Sequence, residues 1–315
     1  MTPPTIAVLV ASHQRPRLLA RCLEALCNQA RPADQVVVVV SGEESEAVVR
    51  QFAGRLPLVH VPHGPGGQAE ARNDGLAMVT AELVAITDDD CRPAPGWLAS
   101  FEAAWSPGLV LSGRTEPDPD DGGMQAVTDR TMKTGPEDAA RFSTCNILYP
   151  TEVLRAVGGF DSSFAFYAED TDLGMRAVGV GARGGYVDGA LVHHVVHRSA
   201  MRPAMRERWR YTWMVRLVRV HPRLRRELFH GWFWAPYHRL LLLAYLALPG
   251  LLLSPLALLL LAPWTRSAFD RMHAMYADNY WQRSRVGDLG RLFLLDSVEV
   301  AACALGSIRE RTLFL

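Results

Sequence analysis

The chain has 315 residues, 49% of them hydrophobic, and its 33 Lys+Arg balance 33 Asp+Glu to give no formal net charge at pH 7. That length suits one large domain or two ordinary ones, and the zero net charge gives no global case for nucleic-acid binding. Five cysteines (Cys22, Cys27, Cys91, Cys145 and Cys303) form no CxxC pair, so they read as reduced thiols rather than a disulfide or zinc framework.

The N-terminus runs directly into an apolar stretch, Ile6 to Ala11, with no basic region and signal-type segment ahead of it, so no cleaved signal is expected. Ile6 to Val10 predicts a buried strand and Ser12 to Pro16 a polar loop. Pro16 suits the first turn of a helix, which Leu19, Leu23 and Leu26 continue at helical spacing. Val36 to Val40, five valines in a row, predicts a strand buried on both faces. Strand, helix and strand with short connections make a βαβ unit of a parallel sheet. A helix over 45–52 and a strand over 58–61 follow. The glycine-rich loop His63 to Gln68 leads into a helix over 69–79, where loop N–H groups can meet a phosphate. Arg72 on that helix is either a diphosphate or base contact or a surface arginine.

Leu83 to Ile86 is an apolar run that ends in Asp88, Asp89 and Asp90. Three acids at a strand end repel one another unless something positive sits there, and ligand crevices in α/β sheets lie at the carboxyl ends of strands. Asp88 and Asp90 are two apart, so on an extended backbone they face one side. That pair suits Mg²⁺ or Mn²⁺ with phosphate oxygens completing the shell; a solvated acidic turn is the competing reading. A helix opens near Trp97, and a strand is expected over 109–111. The Asp-, Pro- and Gly-rich stretch 116–135 reads as a mobile surface excursion, a lid with solvated acids. Next come a strand over 145–149, a helix over 150–157, and Glu169 and Asp170 at the start of another helix, where a carboxylate also serves as a cap. The last short strand, 190–192, ends at His193 and His194, and a neutral histidine is a competent metal ligand.

In order, these pieces resemble the family 2 glycosyltransferases of GT-A fold over roughly the first two thirds of the chain. The resemblance is carried by the first strand with its Ser12-to-Arg15 loop, Gly67 with Ala71-Arg72-Asn73-Asp74-Gly75-Leu76, and Thr87-Asp88-Asp89-Asp90-Cys91-Arg92-Pro93. It continues through Val157-Gly158-Gly159-Phe160-Asp161, Glu169-Asp170-Thr171-Asp172-Leu173 and the late histidine. It implies an α/β fold, a Rossmann-like and mostly parallel sheet flanked by helices, over residues 1–200. Asp88-x-Asp90 resembles the DxD motif, with Asp90 a direct metal ligand and Asp88 nearer the ribose or metal. Glu169-Asp170 resembles the ED motif, with Asp170 the catalytic base. His194, or its neighbour His193, resembles the later metal or diphosphate contact. Ser12, Arg15, Ser41, Gly67, Arg72, Asn73, Asp88 and Asp89 are the implied nucleotide-sugar contacts. One departure stands out: the family's Asp-rich turn after the second strand is replaced by Ser41-Gly42-Glu43-Glu44, so the base of the donor is left unassigned.

From about Met201 the composition changes. Residues 202–239 are dense in Arg and Trp, and 240–262 is an apolar run without a charge, long enough for a membrane span and flanked by arginines and aromatics. Pro249-Gly250 and Pro255 either kink one span or divide it into a re-entrant hairpin. Residues 201–315 are therefore expected to be a helical, membrane-associated region, with helices over 267–284 and 289–308. Taken together, the chain reads as a metal-dependent inverting glycosyltransferase at the cytoplasmic face of the cell membrane. It would use a nucleoside-diphosphate sugar and a lipid-linked or envelope-glycan acceptor. Glu169 and Asp172 are expected to raise the pKa of Asp170. The alternatives are a sugar nucleotidyltransferase, which wants a Gly-rich loop with Arg and Lys after the first strand, and an inactive membrane scaffold or glycan-binding protein.

Overall fold

The computed structural model describes residues 3–164, 167–276 and 285–315. Two compact units divide the chain: 1–122 with 131–195, and 123–130 with 196–315. Residues 123–130, inside the stretch read as a surface excursion, thus count with the second unit.

The first unit is built on an eight-stranded sheet in the order β3-β2-β1-β4-β7-β6-β8-β5. Its strands are β1 (Ile6–His13), β2 (Gln35–Ser41), β3 (Leu58–Pro62), β4 (Leu83–Asp88), β5 (Cys91–Pro93), β6 (Leu109–Pro117), β7 (Asn146–Pro150) and β8 (Arg183–His194). The helices of this unit are α1 (Pro16–Cys27), α2 (Glu43–Phe52), α3 (Gln68–Ala77), α4 (Trp97–Ala104), α5 (Thr151–Ala156) and α6 (Glu169–Gly179). Strands β1 to β4 are joined in parallel, whereas β7 pairs antiparallel with both β4 and β6, and β5 antiparallel with β8. The sheet is mixed rather than mostly parallel, because β7 enters it from the opposite direction.

The valine run shows why β2 is central. Val36, Val38 and Val40 pack into the core on one face with Leu19, Leu23 and Leu26 of α1, while Val37 and Val39 pack into the other. Alternation along a strand puts neighbours on opposite faces, so an unbroken apolar run is what two covered faces require. On the second face, α3 lies so close to the sheet that a Cβ at Gly75 would overlap Leu9 and Val39. Asn146 ties the far half together. Its side-chain amide donates to the carbonyls of Arg114 and Ala190, and its Oδ1 accepts from the Trp97 indole at 2.8 Å. A buried polar side chain survives in a core only when satisfied in this way.

The second unit is helical: α7 (Met201–Arg208), α8 (Thr212–Val220), α9 (Pro236–Tyr245), α10 (Ala247–Gly250), α11 (Ala262–Tyr276) and α12 (Arg285–Glu310). Part of the helix expected over 267–284 lies outside the described residues. The fully buried Glu299 is held by Arg208 at 2.7 Å, the Tyr237 hydroxyl at 2.9 Å and His238 at 3.0 Å. Asp296, also fully buried, is held by Arg271 and the Trp264 indole. Buried carboxylates need such partners. The apolar stretch 240–262 is not one helix. It ends α9, forms the single turn of α10, and re-forms as a 3-10 segment from Pro255 to Leu261. Proline lacks an N–H and interrupts the helical ladder, and no helix among the described residues is long and apolar enough to cross a membrane.

Candidate active site

Strand β4 delivers Asp88 at its carboxyl end, and α6 begins at Glu169. One guanidinium joins them. Arg72, on α3, bonds Asp88 at 2.7 Å and Glu169 at 2.8 Å. Its side chain is only 2% exposed, so it is neither a surface arginine nor one with its charge open to solvent. Burial weakens the cation's hold on its proton, but Asp88 and Glu169 outweigh this, and its pKa is raised. Asp170 sits beside the pair, with one carboxylate oxygen accepting the Thr171 N–H at 2.7 Å. Burial, then the neighbouring Glu169 charge, push Asp170 up to about 7. Asp172, expected to add to that push, is instead paired with Arg176 at 2.8 Å.

The two acids after Asp88 have separate partners. Asp89 is buried, accepts from Ser12 Oγ at 2.7 Å and meets Arg15 at 3.2 Å; burial, then Asp90, raise it to about 6. Asp90 meets Arg15 at 3.1 Å and His194 Nε2 at 3.5 Å. The register of β5 on β8 sets this meeting, since Cys91 stands opposite His194 and the Val195 N–H donates to the Asp90 carbonyl. His194 Nδ1 lies 2.8 Å from the Val195 carbonyl. A carbonyl only accepts, so Nδ1 carries a proton, and Nε2 is turned toward the Asp90 carboxylate, where a neutral imidazole offers its lone pair. Two acceptors facing each other, one oxygen and one imidazole nitrogen, fit a divalent cation such as Mn²⁺. His193 neighbours His194 on β8 and points to the other face; of the two, His194 is the one that meets Asp90.

Other predicted residues have local tasks. Asn73 spends both ends of its amide on the backbone of Phe160, donating to its carbonyl and accepting its N–H, each at 2.8 Å. Gly67 is the N-cap of α3, and its N–H is taken by Glu70 at 2.9 Å. Ser41 closes β2 and bonds its hydroxyl to the His13 ring, while Glu43 and Glu44 fall in the first turn of α2, where acids suit the helix dipole.

Asp118, read as a solvated acid of the excursion, is fully buried. Arg92 at 2.7 Å and Arg21 at 2.8 Å hold it, and its N–H donates to the His194 carbonyl. Burial opposes its charge, but Arg92 and the Asp120 N–H hold its pKa below the usual carboxylate range. The Asp-Pro-Asp-Asp-Gly sequence around it carries only a turn signal; its arginine partners lie on α1 and β5. Asp129 is likewise buried against Arg198.

Residues 7–156 match the family model described as glycosyl transferase family 2, and residues 124–280 match glycosyl transferase family group 2. The amylovoran biosynthesis glycosyltransferase AmsE of Erwinia amylovora is 30% identical over 196 residues, covering 56% of this chain and 70% of that one. The chain belongs to the family 2 glycosyltransferases. The pre-mycofactocin glycosyltransferase of Mycobacterium tuberculosis is 31% identical over 176 residues, covering 51% of this chain but only 37% of its own length. The fold is shared with solved structures. A mannosyltransferase from Pyrobaculum calidifontis, solved with GDP-Man and Mn²⁺, aligns with TM-score 0.61 at 20% identity over 97% of this chain and 88% of that one. Staphylococcus aureus TarS 1-349 aligns with TM-score 0.53 at 18% identity over 98% of this chain and 92% of that one. The first unit is thus a GT-A-like α/β fold in a family 2 glycosyltransferase.

Proposed function

We propose that this chain is a metal-dependent, inverting glycosyltransferase that moves a sugar from a nucleoside-diphosphate donor to an acceptor hydroxyl. The observation that carries the reading is the Arg72 strap, because it fixes the acids at the end of β4 beside Asp170 at the start of α6. The solved mannosyltransferase with GDP-Man and Mn²⁺ supports a nucleotide-sugar donor and a divalent cation, Mn²⁺ or Mg²⁺.

In this reading Asp90 and His194 would hold the cation. Bound there, it would supply positive charge to offset that developing on the departing diphosphate. Asp170 accepts the proton of the attacking hydroxyl; with a pKa of about 7 it is both ionised enough and basic enough near neutral pH. Glu169 is held in place by Arg72, and its neighbouring charge raises the pKa of Asp170. Ser12 and Arg15 fix Asp89, and Arg15 reaches on to Asp90. Inversion requires base and leaving group on opposite faces of the sugar, held in line. The acceptor proposed is lipid-linked or an envelope glycan at the cytoplasmic face of the membrane, supported by the uncharged stretch 240–262 and the arginines before it.

Thermal-shift screening with UDP-, GDP- and dTDP-sugars identifies the donor, and transfer is then assayed with Mn²⁺ in wild type and Asp170→Asn. The variant is expected to lose roughly 10²–10⁴-fold in turnover. Near-normal turnover removes Asp170 from the role, and a failure of every donor to bind or turn over overturns the transferase reading.

A further inference from the structure

Between α9 and α11 a run of leucines is exposed. Leu252 and Leu253 are 88% and 92% exposed, Leu256 70% and Leu259 67%, with Leu246 and Leu258 also exposed. A contiguous patch of this kind marks an interaction surface rather than scattered surface residues. We propose that 246–259 is a shallow docking tip that enters the headgroup–acyl boundary of an anionic lipid bilayer without crossing it. This rests on the membrane-facing transferase reading above and adds the mode of attachment.

Three observations select lipid as the occupant. The first is the backbone. Leu251 donates to Ala247, Leu252 to Pro249, and Leu253 and Ser254 both to Gly250. Leu256 donates to Ser254 Oγ and Ala257 to the Ser254 carbonyl, and Pro255 has no N–H to satisfy. Every N–H from 251 to 257 is therefore spent inside the turn. An exposed loop gains little from that, because water serves the same groups; a segment entering lipid requires it. The second is charge. No Asp or Glu occurs between Glu227 and Asp270, and Arg239 and Arg266, both exposed, bracket the leucines. Cations at the two ends of an apolar tip match anionic headgroups. The third is length. The segment is divided into short pieces, a four-residue α10 and a seven-residue 3-10 stretch, whereas a span needs about 20 apolar residues in one helix. An open groove of about 720 Å³, lined by Leu258, Leu259, Phe269 and Arg266, continues the apolar surface onto α11.

The test uses the full chain and vesicles of equimolar phosphatidylcholine and phosphatidylglycerol. Wild type is expected to co-sediment with them, and Leu252→Asp/Leu253→Asp to lower the partition coefficient at least ten-fold. Arg239→Gln/Arg266→Gln is expected to weaken binding and flatten its salt dependence. Fluorescence of Leu253→Trp is expected to be quenched more by lipid brominated near the headgroup than near the bilayer midplane. Undiminished co-sedimentation of the double Asp variant overturns the proposal, as does stronger midplane quenching. So does a lipid-free wild-type dimer that the double Asp variant splits and that ignores vesicles, since a second copy then covers the patch. Donor hydrolysis in solution is read in parallel. If the double Asp variant leaves the vesicles but still hydrolyses donor, the tip and the transferase reading both stand. If wild type binds vesicles and hydrolyses no donor, the tip stands and the transferase reading falls.

Discussion

Arg72 and Glu169 meet at 2.8 Å across 97 residues of chain, and the same guanidinium reaches Asp88 at 2.7 Å. Removing one partner of a buried ion pair leaves an uncompensated charge, at about 3–5 kcal/mol. Arg72→Ala is therefore expected to lose stability on that scale in urea unfolding. Arg72→Lys, with a point charge in place of a planar fork, is expected to recover part of the stability but little of the transfer activity. Equal stability of wild type and Arg72→Ala would contradict the strap.

Asp170 gives a signed pH dependence. Its native pKa of about 7 lies above the unfolded value near 4, so between those values the native state holds a proton that the unfolded state has lost. Stability then falls as pH rises from about 4 to about 7 and levels off above, while transfer rises through the same upper value as the base ionises. Urea titrations at both ends of this window, in wild type and Asp170→Asn, should show the variant gaining relative stability at the higher pH. A pH–rate profile whose acid limb lies near 4 would count against Asp170 as base.

The two hydrogen bonds between Asn73 and the Phe160 backbone shape the approach to α6. Gly159, immediately before, has φ +72°, and a Cβ there would stand 2.5 Å from Asn73 Oδ1. Gly159→Ala is expected to cost about 1–2 kcal/mol for the left-handed backbone alone. Asn73→Ala leaves the Phe160 N–H and carbonyl without their partner, at about 1–3 kcal/mol. Thermal melts of both single variants and the double test the coupling: the double should cost less than the sum, because the clash disappears with Asn73.

Asp118 predicts behaviour in acid. Its pKa is held below the usual range, so its contribution is complete above about pH 4 and is lost as pH falls through the lowered native value. Asp118→Asn is expected to cost about 1.5–3 kcal/mol at neutral pH, the scale of hydrogen bonds to charged groups, and to narrow its gap from wild type in acid. An unchanged gap across the acid range would remove Asp118 as the source.

The residues that declare themselves in sequence do so through local signals. Val36 to Val40 specify a strand covered on both faces, and Leu19, Leu23 and Leu26 specify the helix above it. The order of the acidic motifs names the family, which the match over 7–156 supports. What was hidden depends on partners distant in sequence. Arg72 lies on a helix with little apolar periodicity, so nothing local marks it as buried; only Asp88 and Glu169 explain it. Asp118 carries a turn signature and is buried because Arg21 and Arg92 come from elsewhere. β5 is three residues long and contains a proline, too short for alternation to show. The uncharged run 240–262 has the length of a span, but its prolines divide the helix, a tertiary outcome that hydropathy alone does not express.

The strand order has a consequence for how the protein is made. β4, with Asp88 at its end, has one neighbour early in the chain, β1, but its other neighbour, β7, is translated far later. β5 waits longer still, since its partner β8 ends at His194. A ribosome that has released only β1 to β4 exposes a sheet margin and three clustered acids with no Glu169 or His194 to complete them. Nascent chains arrested before β8 should therefore bind no nucleotide and present that margin to chaperones, and arrest beyond Val195 should be the first point at which protection from proteolysis sets in for the whole first unit.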